Sequence, residues 1–297
     1  MICFVLKIDN LSTEKSIHYI CIMDILKRFF DFYIFSNIHV ALAAFCLTKI
    51  TLIENEIESN LLPFFVLFST IVSYNLIRFY NVSENKIWFA VFIKKNKNTL
   101  LGLIFLSLGI LIYQSFFLNY KAIISLIPFG FLTLFYVIPF PWNKSNSFTL
   151  RSVAFLKLFL IAVSYAGITV LFPLINYSIE VESNEIIMFI QRFLFIVVIT
   201  IPFDIRDLNF DNKNLKTLPQ VIGIQKSKVV GLFFLMLFLG LEFLKNSTEA
   251  NYRINFIIAL ISLFLLLKAT HDQNKYYSAF FVESIPMIWL LLLVLMP

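Results

Sequence analysis

The stretch that decides the fold is "IPFDIRDLNFDNKNLKTLPQVIG", residues 201–223, where an apolar segment turns into a charged one. It overlaps the run "FLFIVVITIPF", residues 193–203, which contains no charged side chain. Asp204, Asp207 and Asp211 are spaced i, i+3 and i+7, so that on an α-helix they lie along one stripe. Three carboxylates on one face at a membrane edge repel each other, and a bound cation relieves that cost.

The composition is that of a membrane protein. Of the 297 residues, 60% are hydrophobic, 36 are Phe and 14% are charged, whereas soluble domains are about a quarter charged. The apolar residues come in blocks of about 20, the length of a helix that crosses the hydrocarbon core. We expect an integral membrane protein without a separate soluble domain. The net charge of +6 comes from short basic loops, which indicates orientation in the bilayer and not nucleic-acid binding.

Nine apolar segments predict an all-α bundle of about nine transmembrane helices. We expect one membrane domain over residues 23–297 and an N-terminal extension of uncertain structure over residues 1–22, with either Met1 or Met23 as the translation start. The predicted segments are Phe30–Leu47, Leu61–Tyr80, Thr99–Leu118, Ala122–Phe140, Ser152–Leu174, Ile186–Phe203, Val229–Leu244, Ile254–Leu267 and Tyr277–Met296.

The loops predict that the N-terminus is inside and the C-terminus outside. In that orientation eighteen of the 24 Lys and Arg residues lie on the cytoplasmic side, four lie on the opposite side and two fall within helices. Such a bias in short loops orients multi-pass proteins. Asp204 then opens a cytoplasmic loop, so that a site there takes substrates from the cytosol or the inner leaflet. We expect a multi-pass protein of a bacterial inner membrane.

The acid stripe predicts a Mg²⁺ site that receives a phosphate-bearing substrate. Mg²⁺ is commonly bound by a few carboxylates together with substrate phosphate oxygens. Lys213 and Lys216 follow the acids, and Lys144 lies in the neighbouring cytoplasmic loop, where these lysines can neutralise phosphate charge. The alternative is a solvated helix end whose acids pair with Arg206 and the lysines.

The segment "DIRDLNFDNKNLKTLPQVIG" resembles the second aspartate-rich motif of the UbiA superfamily of intramembrane prenyltransferases. That motif reads D-x-x-D-x-x-x-D, followed by a basic residue and a T-[IL]-P-x-x-x-G run. The family also has nine transmembrane helices in the orientation predicted above, so the architecture agrees from about Met23 onward. The matching residues are Asp204, Asp207, Asp211, Lys216, Thr217, Leu218, Pro219 and Gly223.

The first motif of that family, N-D-x-x-D-x-x-x-D on the second helix, is only partly present in "SYNLIRFYNVSENK", residues 73–86. Asn75 matches the leading Asn. Leu76, Phe79 and Ser83 stand where the family has acids that help to hold its Mg²⁺ ions. Either Arg78 contacts the diphosphate and replaces one metal, or prenyl transfer has been lost or altered.

The resemblance implies Mg²⁺-dependent transfer of an isoprenoid chain from a prenyl diphosphate to an aromatic or lipid acceptor within the membrane. It implies that the three aspartates bind the metal and carry catalysis. The other candidate residues are Asn75, Arg78, Lys144, Lys213 and Lys216 for the diphosphate, and Tyr74, Tyr136 and Lys157 for the substrate pocket.

Two rival functions can be compared with this one. A catalytically altered or inactive UbiA-like protein that binds or transports an isoprenoid or lipid is favoured by the missing first-motif acids. CDP-alcohol phosphatidyltransferases also place aspartates at a membrane edge, but they need a D-G-x-x-A-R run. After Asp207 the chain reads "LNFDNKN", without that Gly and Arg, which disfavours this class.

Ionisable residues inside predicted helices usually face a cavity or a partner. Lys157 is expected either to extend to the cytoplasmic surface or to take part in the site. Arg192 is expected to extend to the outer surface. Glu283 is expected to face the bundle interior, within reach of Lys157.

Overall fold

The chain forms a bundle of helices. A computed structural model describes residues 25–80, 87–137, 156–211, 215–245 and 247–296, and gives only the backbone of residues 80, 87, 88 and 133–137. The described residues contain no strand, as the apolar blocks predict. The N-terminal extension lies outside them. The helices are α1 Ile25–Phe35, α2 Ile38–Glu54, α3 Leu61–Tyr80, α4 Ile87–Ser115, α5 Tyr120–Val137, α6 Leu156–Asn176, α7 Ser183–Arg206, α8 Leu218–Ile222, α9 Ile224–Glu242, α10 Glu249–Lys268 and α11 Tyr277–Leu295.

Seven helices within the described ranges are long and apolar enough to cross a membrane, namely α3, α4, α6, α7, α9, α10 and α11. Helices α1 and α2 meet at a bend of 52° and add an eighth span if they are counted together. The apolar part of α5, Tyr120–Leu132, is shorter. The described parts of the nine predicted segments are mainly helical, but Phe30–Leu47 is divided between α1 and α2, and α4 begins 12 residues before the predicted Thr99. The count of nine spans and the orientation stay predictions.

Helix α7 lies at the centre of the largest core cluster and thereby fixes the position of the acid motif. It packs against α6, α9 and α10. Phe195, Val198 and Ile201 on its buried face are almost inaccessible, and the Phe195 ring meets the edge of Trp289 on α11 at 5.1 Å between centroids. In lipid, helix association depends on such van der Waals packing because the tails are as apolar as the side chains.

Two helices widen locally into π-helical turns, Gly167–Leu171 in α6 and Tyr277–Val282 in α11. Turns of this kind are rare and often occur at functional sites. At the first one, Gly167 allows α5 to approach closely, because a Cβ atom on Gly167 would lie 2.0 Å from the Cζ atom of Phe129. The absence of a side chain at residue 167 therefore leaves room for the Phe129 ring between α5 and α6.

We predict that Gly167→Ala lowers the free energy of unfolding by about 1–3 kcal/mol, because the added methyl group overpacks the contact with Phe129. The matched control is Gly102→Ala on α4, where an added Cβ meets no atom within 4 Å. That change should be neutral or stabilise the protein by up to about 1 kcal/mol. The measurement is thermal or denaturant unfolding in detergent, and equal stabilities of the two variants would contradict the close contact.

Candidate functional site

The acid motif ends in a buried ion-pair cluster. Asp204 lies in the last turn of α7, with 1% of its side chain exposed, and its Oδ1 accepts a hydrogen bond from Lys157 Nζ at 2.7 Å. The same ammonium group donates to Asp211 Oδ2 at 3.2 Å. Lys157 comes from the first turn of α6, and its side chain is 14% exposed. It therefore takes part in the acid cluster, which was one of its two predicted roles.

The predicted α-helical stripe of three aspartates is wrong in one respect. Helix α7 ends at Arg206, and residues 207–209 form a single 3-10 turn. The carbonyl oxygen of Asp207 accepts hydrogen bonds from the amides of Phe210 at 2.9 Å and Asp211 at 2.8 Å. Asp211 thus reaches Lys157 from a turn. Asp and Asn side chains compete for backbone hydrogen bonds, so the segment 207–211 favours a turn over a continued helix.

Asp207 has a different partner. The Arg206 guanidinium donates to both of its carboxylate oxygens, at 2.8 Å from Nε and 3.0 Å from Nη2. The same guanidinium lies 5.2 Å from the centroid of the Phe203 ring. The three aspartates are therefore divided between a shared lysine and a neighbouring arginine.

The residues after the acids fold back onto this turn. Gln220 links the two segments, because its Oε1 accepts from the Thr217 amide at 3.0 Å and its Nε2 donates to the Asp211 carbonyl at 3.4 Å. Gly223 has φ 82°, which favours glycine, and it separates α8 from α9. Lys216, a predicted diphosphate ligand, is exposed at the start of this segment.

Asn75 and Arg78, the predicted diphosphate ligands of α3, both bind the break between α1 and α2. Asn37, at the break, has φ 68° and donates from Nδ2 to Asn75 Oδ1 at 3.0 Å. Asn75 Nδ2 donates to the Ser36 carbonyl at 2.9 Å, and Arg78 Nη1 donates to the Phe35 carbonyl at 2.9 Å. Both side chains therefore satisfy carbonyls that α1 leaves open at its C-terminal end.

The remaining described candidates lie near Arg78. The hydroxyl groups of Tyr74 and Tyr165 are hydrogen-bonded at 3.0 Å. Glu283, in the turn after the π-helical segment of α11, interacts electrostatically with Arg78 and Arg206. The expected pairing of Glu283 with Lys157 is not observed, because Lys157 bonds Asp204 and Asp211. Lys144 and Lys213, and the side chain of Tyr136, lie outside the described residues.

A second polar network lies toward the opposite ends of the helices, and the sequence reading missed its extent. Arg192 was expected to extend to the surface, but it is 2% exposed, donates to the Leu47 carbonyl at 2.7 Å and lies 5.3 Å from the Trp289 ring centroid. Glu242 Oε2 accepts from Gln191 Nε2 at 2.7 Å and Asn255 Nδ2 at 2.8 Å. Gln191 and Asn255, amide side chains on otherwise apolar helices, are the signal in the sequence that indicates such a network.

The cluster around the aspartates fits a divalent cation in part. Two carboxylates, of Asp204 and Asp211, already converge on one positive charge, and Mg²⁺ is usually held by one or two carboxylates plus phosphate oxygens. Asp207 is held by Arg206, and the described residues contain no group of three His, Cys, Asp or Glu side chains arranged as metal ligands. The pair fits the ion, whereas the three-aspartate set stays a prediction.

Comparison of the chain with protein-family models, curated proteins and solved structures finds no match. The resemblance to the UbiA superfamily therefore stays a prediction based on the motif at the end of α7.

We predict that Asn75→Ala lowers the free energy of unfolding by about 1–3 kcal/mol, since it leaves the Ser36 carbonyl and the Asn37 amide without their partner at a buried site. The control is Ser73→Ala on the same helix, whose hydroxyl bonds only a carbonyl of its own helix in the described structure. Unfolding in detergent, without any ligand, measures both. A stability loss no greater than that of the control would contradict the structural role of Asn75.

Proposed function

We propose that the chain is an intramembrane prenyltransferase of the UbiA type, which transfers an isoprenoid chain from a prenyl diphosphate to an aromatic or lipid acceptor. The observation that carries the proposal is the buried convergence of Asp204 and Asp211 on one cation, at the end of the bundle where Arg78 and Arg206 also lie. Charges at membrane depth are expensive and mark functional sites.

The proposed topology determines on which side of the membrane the cluster lies. With α5 as a further span and α1–α2 as one bent span, the chain has nine spans, an N-terminus inside and a C-terminus outside. The cluster then opens toward the cytoplasm of a bacterial inner membrane. The distribution of Lys and Arg among the loops supports this orientation.

The charges of the cluster suit an anionic headgroup together with a metal. Its acidic side chains are Asp204, Asp207, Asp211 and Glu283, and its basic ones are Lys157, Arg206 and Arg78. If all are ionised, the acids exceed the bases by one charge. A bound Mg²⁺, held by Asp204 and Asp211, would neutralise phosphate oxygens and so make the diphosphate a better leaving group.

The residues of the chain would bind the headgroup and stabilise its departure. In the proposed reaction the C1–O bond of the prenyl diphosphate breaks, and its electron pair leaves with the diphosphate. The acceptor forms a new bond to C1, and an aromatic acceptor then loses one proton. Lys157 supplies N–H donors at the cluster, and Arg78 offers a guanidinium that matches phosphate oxygens. Lys216 adds positive charge at the mouth in this proposal, and the sequence predicts the same role for Lys213 of the same loop and for Lys144 of the neighbouring cytoplasmic loop.

A second candidate function is binding or transport of an isoprenoid or lipid without transfer. It is favoured by α3, where the family's acids are missing and where Asn75 and Arg78 bond the break between α1 and α2. Purified protein that binds farnesyl diphosphate with Mg²⁺, but releases no diphosphate with any membrane extract as acceptor, would support this candidate over the transferase.

We predict that the double change Asp204→Ala and Asp207→Ala abolishes Mg²⁺-dependent transfer. Loss of the charges that position and stabilise the leaving diphosphate should lower the rate at least about 100-fold. The measurement is incorporation of a labelled prenyl chain into membrane lipids and quinones by the purified protein.

The control for that experiment is Glu58→Ala with Glu180→Ala, which also removes two acids but from exposed positions on the loops after α2 and α6. It should retain full activity. Full activity in the aspartate variant would refute the proposed site. If the aspartate variant is inactive and the control is active, a lipid and quinone profile of cells with and without the gene would identify the acceptor.

A further inference from the structure

We infer that Lys157 is a built-in counter-ion that occupies the cation position between Asp204 and Asp211, yields it to a divalent metal, and then binds the diphosphate. The part of the inference that concerns the diphosphate rests on the proposed function. The part that concerns the metal does not.

The geometry places one positive charge between carboxylates that come from different elements. Asp204 is at the end of α7 and Asp211 is in the turn beyond it, yet one oxygen of each lies within 3.2 Å of Lys157 Nζ. Both carboxylates are at least nine-tenths buried. Without a cation at this point they would repel each other at a site where water screens charge poorly. The ammonium group therefore holds the position that a metal would take.

Lys157 and Arg206 differ in how readily a metal ion could displace them from the carboxylates they bind. Arg206 grips Asp207 with two nitrogen atoms of a planar guanidinium, which is a rigid arrangement. Lys157 contacts Asp204 and Asp211 through a single nitrogen atom on a flexible four-carbon stem. A lysine can withdraw when a doubly charged ion arrives and can still reach phosphate oxygens nearby.

Two buried polar atoms without a described hydrogen-bond partner lie at the break between α1 and α2, beside the residues that Asn75 and Arg78 contact. Ser36 and Asn37 are fully buried at the break that Asn75 and Arg78 bind, and Ser36 Oγ and Asn37 Oδ1 have no hydrogen-bond partner among the described residues. Buried polar atoms without a partner are rare in native proteins and cost about 1–3 kcal/mol each.

The test measures Mn²⁺, a paramagnetic substitute for Mg²⁺, with the purified full chain and no prenyl ligand. Electron paramagnetic resonance of free Mn²⁺ gives the affinity of the wild type, Lys157→Met and Lys157→Arg. Lys157→Met removes the competing charge and should bind Mn²⁺ at least tenfold more tightly. Lys157→Arg keeps the charge but grips both carboxylates with a fork, and should bind Mn²⁺ at least threefold more weakly than the wild type.

The matched control is Lys228→Met, which removes a buried lysine whose ammonium donates to the Leu267 carbonyl at 2.7 Å. It should leave Mn²⁺ affinity unchanged. Equal or weaker Mn²⁺ binding by Lys157→Met overturns the inference. If Lys157→Met does not fold without metal, the decision falls to Lys157→Arg, which preserves the charge balance, and an affinity equal to or above that of the wild type overturns the inference.

Binding of farnesyl diphosphate separates this inference from the proposed function. With saturating Mg²⁺, Lys157→Met should bind farnesyl diphosphate at least tenfold more weakly than the wild type, although it binds the metal more tightly. A merely structural lysine would not move the two affinities in opposite directions. If the wild type binds no farnesyl diphosphate with Mg²⁺, the proposed function fails, while the order of Mn²⁺ affinities still decides the role of Lys157 toward the metal.

Discussion

The pairing of buried charges at the junction of α6 and α7 is the constraint on which the rest of the structure depends. Asp204 is nearly inaccessible, and hydrocarbon around the bundle offers no solvation to a carboxylate. Lys157 satisfies it together with Asp211, so the start of α6, the end of α7 and the turn beyond must meet at one point. Removal of one partner from such a buried group typically costs about 3–5 kcal/mol, because the other charge stays uncompensated.

The break between α1 and α2 links this cluster to the rest of the bundle. A helix that stops inside a packed bundle leaves carbonyl groups open, and where water cannot reach them they need a partner from the chain. Asn75 and Arg78 of α3 bind these groups, and Arg78 also lies within electrostatic range of Glu283 and Arg206. Asn75 thus has a structural use that does not depend on acids beside it. Asn75 and Arg78 thereby hold α3 against this end of the bundle.

The buried network around Arg192 and Glu242 shows why sequence alone underestimates how many polar side chains of apolar helices are buried and hydrogen-bonded. Arg192 lies close enough to a predicted helix end to extend to the surface, and nothing in its sequence neighbours argues against that. In the fold, the carbonyl of Leu47 and the ring of Trp289 come within its reach from α2 and α11. Gln191 on α7 and Asn255 on α10 bind Glu242 on α9 in the same way, so that this contact joins three helices. Partners far apart in the chain can be recognised only after the helices have packed.

The sequence by itself determined the membrane class, the helical content and the position of the acid motif, because hydrophobic length and charge are local properties of the chain. It also placed Asp204 at the end of its helix. The tertiary structure decided which cation each acid meets. Lys157 lies 47 residues before Asp204 in the chain, and only the packing of α6 on α7 brings the two together. The tertiary structure also decided that the acid motif ends in a turn and not in a helix. The carbonyl oxygen of Asp207 accepts hydrogen bonds from the amides of Phe210 and Asp211, and the resulting turn brings Asp211 to Lys157, the lysine that also binds Asp204.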